Sequence, residues 1–148
     1  MIKTGTESLD WLFGKSHSDT LFGLGHIDTL NGRGGRDYLS GGDGDDHFKF
    51  VQADLRDNGW DYIMDWECGD RIQIGGGSWN VDPDQFVYGK HAEDENDRVI
   101  YNCDTGVLKV DRDGQGGHKA LKVAIVLSDD GRPAYLDHGD VFLPGWWL

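Results

Sequence analysis

The feature that most constrains this chain is a nine-residue repeat that occupies residues 5–49. Five units follow one another without a gap, and three of the nine columns keep one residue type or class throughout. The first column holds Gly5, Gly14, Gly23, Gly32 and Gly41; the sixth holds Asp10, Asp19, Asp28, Asp37 and Asp46; and the eighth holds Leu12, Leu21, Leu30, Leu39 and Phe48. Any fold for this segment must therefore repeat with the same period.

A period of this length predicts a stacked, solenoid-like β structure. One large apolar residue per unit cannot form a core alone, so the units must stack and bury that column together. The eighth residue would point inward from a short strand, and the first six would form a turn in which glycine permits positive φ.

Stacking would also align the aspartates on the turns, where carboxylates repel one another unless a cation lies between them. Calcium accepts 6–8 oxygen ligands in flexible geometry, which suits turns that offer one carboxylate and several carbonyls. The column therefore predicts bound calcium. The alternative is a set of solvated turn aspartates in a metal-free or disordered glycine-rich segment.

The unit, clearest in "GGDGDDHFK" (41–49), resembles the repeat of the RTX proteins, G-G-x-G-x-D-x-U-x. The resemblance implies a right-handed parallel β-roll in which two nonapeptides form one coil and repeat n pairs with repeat n+2. It implies at most three complete roll sites, with about three or more calcium ions in all. Asp10 would face Asp28, Asp19 would face Asp37, and Asp28 would face Asp46. Carbonyls from first and third positions would join them, namely Gly23, Gly25, Gly32, Gly34 and Gly41, and Asp43 would add a side-chain oxygen.

The early repeats depart from this pattern at positions two and four. Thr6 and Ser8 replace glycine in the first repeat, Lys15 and His17 in the second, and His26 takes the fourth position of the third. Because a left-handed conformation is costly for residues other than glycine, we expect a well-formed site between repeats three and five and a weak or distorted first site.

The resemblance continues beyond the repeats. The segments 61–74 ("DYIMDWECGDRIQI"), 98–127 and 138–143 ("HGDVFL") are similar to the C-terminal domain of serralysin-type secreted metalloproteases, the last to its export tail. Similar domains occur in type I secreted lipases and in the R-modules of alginate epimerases. Asp61 or Asp65 could close an open calcium site at the end of the roll, or serve in packing or at the surface.

The remaining sequence predicts one all-β module over 1–148, with the roll at 5–49 and an antiparallel β cap at 50–148. The segments "WDYIMDW", "RVIYN", "GVLKV" and "ALKVAIVL" have the alternation or the β-branched composition of strands. One helical turn is expected at "DPDQF" and a loop at "HAEDENDR".

Net charge limits the choice of partner. The chain carries 27 acidic against 14 basic residues, a formal net charge of −13, which disfavours nucleic acid, anionic membranes and polyanionic glycans. No stretch of 18 apolar residues exists, so no membrane span is expected. The first residues lack the pattern of a cleavable signal peptide, so an extracellular address would have to come from a C-terminal signal.

Motifs for catalysis are absent from the sequence. It has neither the H-E-x-x-H of zinc proteases nor the G-x-S-x-G of serine hydrolases, so a non-enzyme is expected. The "DRDGQG" segment (111–116) begins like an EF-hand loop, but its twelfth residue is Lys122, which favours a hairpin turn over a lone calcium contact. Cys68 and Cys103 permit one disulfide or two partly buried free thiols.

Together these features predict a secreted, non-catalytic calcium-binding module that folds on binding calcium. By resemblance it would support type I secretion and extracellular folding, with the secretion machinery as its partner. The alternative function is a glycan-binding accessory module similar to the R-modules, with Arg33, Arg36, Lys49 and Arg56 as its basic run. Trp146 and Trp147 suit a sugar platform, a membrane-proximal anchor or closure of the cap.

Overall fold

Short strands alternate between two sheets along the repeat segment of the computed structural model, which describes residues 1–51, 55, 59–76 and 79–145. The chain is all-β. The strands are β1 (Ile2–Thr4), β2 (Trp11–Phe13), β3 (Thr20–Gly25), β4 (Thr29–Asn31), β5 (Tyr38–Asp43), β6 (His47–Phe50), β7 (Asp61–Ile63), β8 (Arg71–Ile74), β9 (Trp79–Asn80), β10 (Phe86–Tyr88), β11 (Val99–Asn102), β12 (Val107–Val110), β13 (Leu121–Val126) and β14 (Val141–Leu143). Two 3-10 turns cover Pro83–Gln85 and His138–Asp140.

The larger sheet has the order β1-β3-β5-β7-β13-β12-β11-β10, and the smaller has the order β2-β4-β6-β8-β14-β9. Up to β8, odd-numbered strands enter the larger sheet and even-numbered strands enter the smaller one. The chain therefore passes from one sheet to the other and back with every two strands.

Strand register follows the repeat. Within the repeats, parallel pairing joins residues 18 apart, such as Leu12 with Leu30 and Leu21 with Leu39. Eighteen residues are two nonapeptides, so pairing between repeats n and n+2 is confirmed. The spacing then widens to 24 where β5 pairs with β7 and β6 pairs with β8. Parallel stacking thus continues past residue 49, across the boundary drawn from the repeats.

The eighth column lies between the two sheets, as its periodicity predicts. Leu12 is 3% exposed, and Leu21, Leu30, Leu39 and Phe48 are completely buried. Ile63 of β7 and Ile72 of β8 are also completely buried and extend this apolar column. Each repeat contributes one side chain to a core that no single repeat could close.

The region after β8 is mixed, so the prediction of an antiparallel cap is wrong in part. Strands β11, β12 and β13 are antiparallel, but β10 is parallel to β11, β13 to β7 and β14 to β8. These pairs are parallel because their connections are long. A long crossover carries the chain back to the end of the sheet where the previous strand began, so the next strand runs in the same direction. The predicted loop at 91–98 is such a crossover, because it lies between β10 and β11.

Two smaller expectations can also be compared with the structure. The helical turn expected at "DPDQF" is confirmed as the 3-10 turn Pro83–Gln85. The tail-like "HGDVFL" forms the second 3-10 turn and β14, which pairs with β8 and β9. Trp146, Trp147 and Arg56 lie outside the described residues. Within the described ranges, no helix has the length and apolarity that crossing a membrane requires.

Truncation of the buried column tests this core. Leu30→Ala should lower the free energy of unfolding by about 2–5 kcal/mol, because it removes a completely buried side chain and leaves a cavity. Urea unfolding in a buffer that contains calcium provides the measurement. The matched control is Leu9→Ala, since Leu9 is 56% exposed and should cost little. Equal losses at the two positions would contradict the burial of the column.

Candidate metal centre

The aspartates of the sixth column form two ladders along the turns. In each ladder, the Oδ1 atom of one aspartate accepts a hydrogen bond from the backbone N–H of the aspartate one coil earlier. The distances are 2.7 Å for Asp10 to Asp28, Asp19 to Asp37 and Asp28 to Asp46, and 2.9 Å for Asp37 to Asp61 and Asp46 to Asp70. The first ladder is thus Asp10, Asp28, Asp46 and Asp70, and the second is Asp19, Asp37 and Asp61.

The lack of space around position one of the repeats explains why this position is always glycine. A Cβ atom placed on Gly5 would lie 2.7 Å from both Asp10 Oδ2 and the carbonyl oxygen of Gly23. The same space at Gly23 is occupied by Asp28 Oδ2 and the carbonyl oxygen of Gly41. A carboxylate oxygen from repeat n and a carbonyl oxygen from repeat n+2 therefore converge beside each of these glycines. Two such oxygens are a partial ligand set for a hard cation.

A third convergence of the same kind lies between repeats two and four. A Cβ atom on Gly14 would lie 2.9 Å from Asp19 Oδ2 and would also collide with the carbonyl oxygen of Gly32. The described turns therefore contain three places where these oxygens meet, beside Gly5, Gly14 and Gly23, in the same repeats as the three aspartate pairs that the resemblance implies.

The Oδ2 atoms differ between early and late repeats. Asp10 Oδ2 accepts hydrogen bonds from the backbone N–H and the hydroxyl of Thr6, at 2.5 and 2.8 Å, and Asp19 Oδ2 accepts one from the N–H of Lys15 at 2.6 Å. In contrast, Asp28 Oδ2 and Asp46 Oδ2 are buried and have no hydrogen-bond partner among the described residues. A buried carboxylate oxygen without a partner is unfavourable, so these two atoms mark where a cation would be stabilised.

Backbone conformation at position two explains this difference. Position two has positive φ in repeats three to five, with values of 90° at Leu24, 69° at Arg33 and 91° at Gly42. Thr6 and Lys15 do not have positive φ, and their N–H groups face the aspartate of their own repeat. The substitutions in the first two repeats therefore coincide with turns whose carboxylates are already satisfied.

Burial makes the carboxyl groups of Asp28, Asp46 and Asp70 weaker acids than an exposed aspartate. Desolvation raises the pKa of Asp28, and it raises the pKa of Asp46 and of Asp70 to about 7 in each case. Neighbouring carboxylates, which include the adjacent ladder aspartate and Glu67, raise the pKa of Asp46 and of Asp70 further, whereas hydrogen bonds from backbone N–H groups lower it. Without a cation, charge on this ladder is costly at neutral pH.

The end of the stack is closed by carboxylates that bind backbone amides. Asp61 is buried and continues the second ladder. Asp65 accepts hydrogen bonds from the N–H groups of Gly41 and Gly42, each at 3.0 Å, and from the hydroxyl of Ser40 at 2.6 Å. Asp61 therefore lies in line with the predicted calcium column, whereas both oxygens of Asp65 already accept hydrogen bonds at the repeat-five turn.

Asp70 is a ladder residue that the repeat pattern did not identify. Asp61 follows Asp46 by 15 residues instead of nine, which breaks the period, but Asp70 follows Asp61 by nine. Both are followed two positions later by a buried isoleucine, Ile63 or Ile72, as in the sixth and eighth columns. This D-x-I spacing was the signal that could have identified Asp70.

The remaining predicted ligands are less well placed. Asp43 is exposed and lies on β5 opposite Gly25. At position three of the repeats, Gly25 lies close to the Glu7 side chain and Gly34 packs against the backbone of Ser16. In the described ranges, no three side chains of His, Cys, Asp or Glu gather as a metal-binding group. Because each turn offers one carboxylate, a calcium site here would depend on backbone carbonyls for its other ligands.

Two further sequence expectations lie away from the turns. The segment 111–116 belongs to the hairpin connection between β12 and β13, where Asp113 pairs with His118 at 2.7 Å, so the hairpin interpretation is confirmed. Cys68 and Cys103 are free, so no disulfide joins them. Both thiols are exposed, and the expectation of partial burial was wrong because each lies in a surface turn between strands.

The basic residues expected to line a glycan groove contact different sheets. The Arg33 guanidinium lies 5.1 Å from the Phe13 ring and the Lys49 ammonium 5.1 Å from the Trp11 ring, both on β2 of the smaller sheet. Arg36 instead lies 4.0 Å from Trp60, just before β7 of the larger sheet. These three residues therefore do not line one groove.

Comparison with known proteins gives no assignment. No protein-family model and no curated protein matches this sequence. Evidence for the function of this chain therefore comes from the geometry of its turns.

Replacing Leu24 by glycine tests the strained turn. Leu24→Gly should raise the free energy of unfolding by about 0.5–1 kcal/mol, because positive φ is costly for leucine and not for glycine. Urea unfolding in saturating calcium checks it. Leu9→Gly, at a position without positive φ, should instead lower the free energy of unfolding. A loss of stability at Leu24 would argue against the left-handed turn.

Acidification should promote structure in the calcium-free protein. The unfolded chain releases the Asp46 and Asp70 protons near pH 4, whereas the folded chain retains them up to about pH 7. In this window the folded state binds more protons, so stability falls as pH rises from about 4 to about 7. Far-UV circular dichroism in calcium-depleted buffer should show more β structure at pH 5 than at pH 7.

The control for this effect is a pair of variants with the same charge change. Asp46→Asn should reduce the difference between pH 5 and pH 7, because it removes one of the carboxyl groups whose pKa burial raises to about 7. Asp129→Asn, at an exposed position, should leave the difference intact. A β content that stays constant or decreases on acidification would contradict the raised pKa values.

Proposed function

We propose that this chain is a non-catalytic calcium-binding RTX module whose two sheets form a right-handed parallel β-roll. The observation that carries the proposal is the pair of buried Oδ2 atoms on Asp28 and Asp46, which have no hydrogen-bond partner among the described residues. Beside Asp28 Oδ2 lies the carbonyl oxygen of Gly41, which is also a calcium-type ligand.

The donor set fits calcium better than a transition metal. The converging atoms are carboxylate and carbonyl oxygens, which suit hard cations, and among the described residues no three His, Cys, Asp or Glu side chains gather as a metal-binding group. Asp28 Oδ2 and the carbonyl oxygen of Gly41 would help to hold one ion between repeats three and five, and Asp46 Oδ2 would help to hold a second. A bound Ca²⁺ would supply positive charge to carboxylates that burial otherwise destabilises.

Calcium binding would then be linked to folding. The oxygens converge only when repeats n and n+2 are stacked, so an unfolded chain has no comparable site. The binding free energy would therefore become folding free energy, and the transition would be cooperative along each ladder. The formal net charge of −13 adds repulsion that divalent cations reduce.

The biological role that follows is calcium-controlled folding after export. The chain would stay unfolded where calcium is scarce, pass through a type I secretion channel, and fold in an extracellular medium rich in calcium. Affinities of about 10⁻⁴–10⁻³ M, typical of extracellular calcium modules, would place the switch between these two environments. The secretion machinery is then a partner of the unfolded chain and calcium of the folded one.

The direct test is a calcium titration of the chelated protein, followed by far-UV circular dichroism and by calorimetry. A cooperative gain of β structure with about three or more ions per chain is expected, in keeping with the three pairs in the turns. A protein that is fully folded in chelator and unchanged by calcium would overturn the proposal.

Conservative variants locate the ions. Asp28→Asn and Asp46→Asn retain the Oδ1 acceptor of the ladder but remove the charge, so they should weaken calcium binding about tenfold or more without abolishing folding at saturating calcium. Asp129→Asn carries the same charge change at an exposed position and should bind as the unmodified chain does. Equal calcium affinity in all three variants would exclude the turns as the site.

A further inference from the structure

The outer side of the larger sheet contains a basic cleft of about 340 Å³ in an otherwise acidic chain. Its lining residues come mainly from strands β11, β12 and β13. Lys90, Lys109 and Lys122 line it together with Ile100, Asn102 and Thr105. No carboxylate is among its lining residues in the described structure. The chain as a whole has almost twice as many acidic as basic residues, so this local reversal of sign is unusual.

The fold holds two of these lysines side by side. Lys109 of β12 and Lys122 of β13 are direct partners across an antiparallel pair, an arrangement in which like charges are destabilising. Lys109 Nζ also donates a hydrogen bond to the carbonyl oxygen of Lys90, 3.1 Å away, which keeps its ammonium at the cleft. The register therefore places two basic residues opposite each other, with the ammonium group of Lys109 on the Lys90 carbonyl and that of Lys122 on the Trp60 ring.

Counter-charge does not come from the described part of the protein. Neither Lys109 nor Lys122 forms an ion pair with any described carboxylate. Lys122 Nζ instead lies 3.3 Å from the centre of the Trp60 ring, and Arg36 lies over the same ring at 4.0 Å. Burial, followed by the charges of Arg36 and Lys109, lowers the pKa of Lys122. An anion in the cleft would offset the positive charge of Arg36 and Lys109 and favour the charged form of Lys122.

We infer that this cleft, with Lys109 and Lys122 paired across its strands, binds a small organic oxyanion that carries a carboxylate or a phosphate. Lysine ammonium groups bind such oxyanions through charge-assisted hydrogen bonds. The volume lies at the lower end of the range for small-molecule sites, which suits a ligand of about the size of a monosaccharide. Buried Ile100 offers apolar contact, and Asn102 and Thr105 offer polar side chains.

The inference does not depend on the calcium sites, because the cleft is formed by other strands. Its test uses the full chain in saturating calcium, with folding verified by circular dichroism before each titration. The probes are glucuronate for a carboxylate, glucose 1-phosphate for a phosphate and glucose as the uncharged control. Calorimetry and chemical shifts of the lysine side chains are recorded for each probe.

We expect glucuronate, glucose 1-phosphate or both to bind and glucose not to bind. Binding of one anion alone identifies the oxyanion as carboxylate or phosphate. Lys109→Gln and Lys122→Gln should each lower the affinity about tenfold, because each removes one charge-assisted contact. Lys119→Gln, at an exposed position outside the lining, should leave the affinity unchanged.

Three outcomes would overturn the inference. The first is an absence of binding by both anions to the folded chain. The second is equal binding of glucose, which would show that charge is not recognised. The third is anion binding that Lys109→Gln and Lys122→Gln leave unchanged, which would place the anion elsewhere on the protein.

Discussion

The structure depends on one recurring contact, in which the Oδ1 atom of a turn aspartate accepts a hydrogen bond from the N–H of the aspartate one coil earlier. This contact fixes the register of the turns, and the register in turn aligns the leucines of the eighth column between the sheets. The same contact forces carboxylates to stack in a buried row. Because Oδ1 is used by the backbone, Oδ2 remains for something else, and in Asp28 and Asp46 the described residues provide nothing. The contact that fixes the register of the turns therefore also leaves the oxygens to which the proposed calcium would bind.

The partners of the aspartate Oδ2 atoms differ along the stack. In the first two repeats, ordinary backbone conformations at Thr6 and Lys15 allow their N–H groups to satisfy the aspartate Oδ2 atoms. At the far end, Asp70 Oδ2 accepts from the N–H of Glu67, and Asp65 binds the amides of the repeat-five turn. Within the ladders, the Oδ2 atoms of Asp28 and Asp46 that have no hydrogen-bond partner among the described residues consequently lie in repeats three and five. A module that needs calcium to complete its middle, and not its ends, would be expected to fold cooperatively from that point.

Part of this arrangement could be predicted from the sequence. The burial of the eighth column follows from where the large apolar residues recur, and the pairing of residues 18 apart was implied by the resemblance to the RTX repeat. The presence of glycine alone does not distinguish early from late turns, because Leu24 and Arg33 also have positive φ at position two. The extension through Asp61 and Asp70 was harder to recognise because Asp61 follows Asp46 by 15 residues. Strand composition after residue 75 indicated strands but not their direction, which depends on how far each connection travels. The lysine cleft could not be predicted from the sequence, because Lys109 and Lys122 are separated in sequence and become neighbours only through the register of β12 and β13.

The measurement that tests the central claim most directly is anomalous scattering from crystals grown with calcium, recorded at a long wavelength where calcium gives a signal. The account predicts an anomalous peak beside Asp28 Oδ2 and the carbonyl oxygen of Gly41, and a second beside Asp46 Oδ2. It also predicts a weaker peak, or none, beside Asp10, whose Oδ2 already accepts two hydrogen bonds. Well-ordered turns without a calcium peak at Asp28 or Asp46 would contradict the claim that a cation completes the ladder.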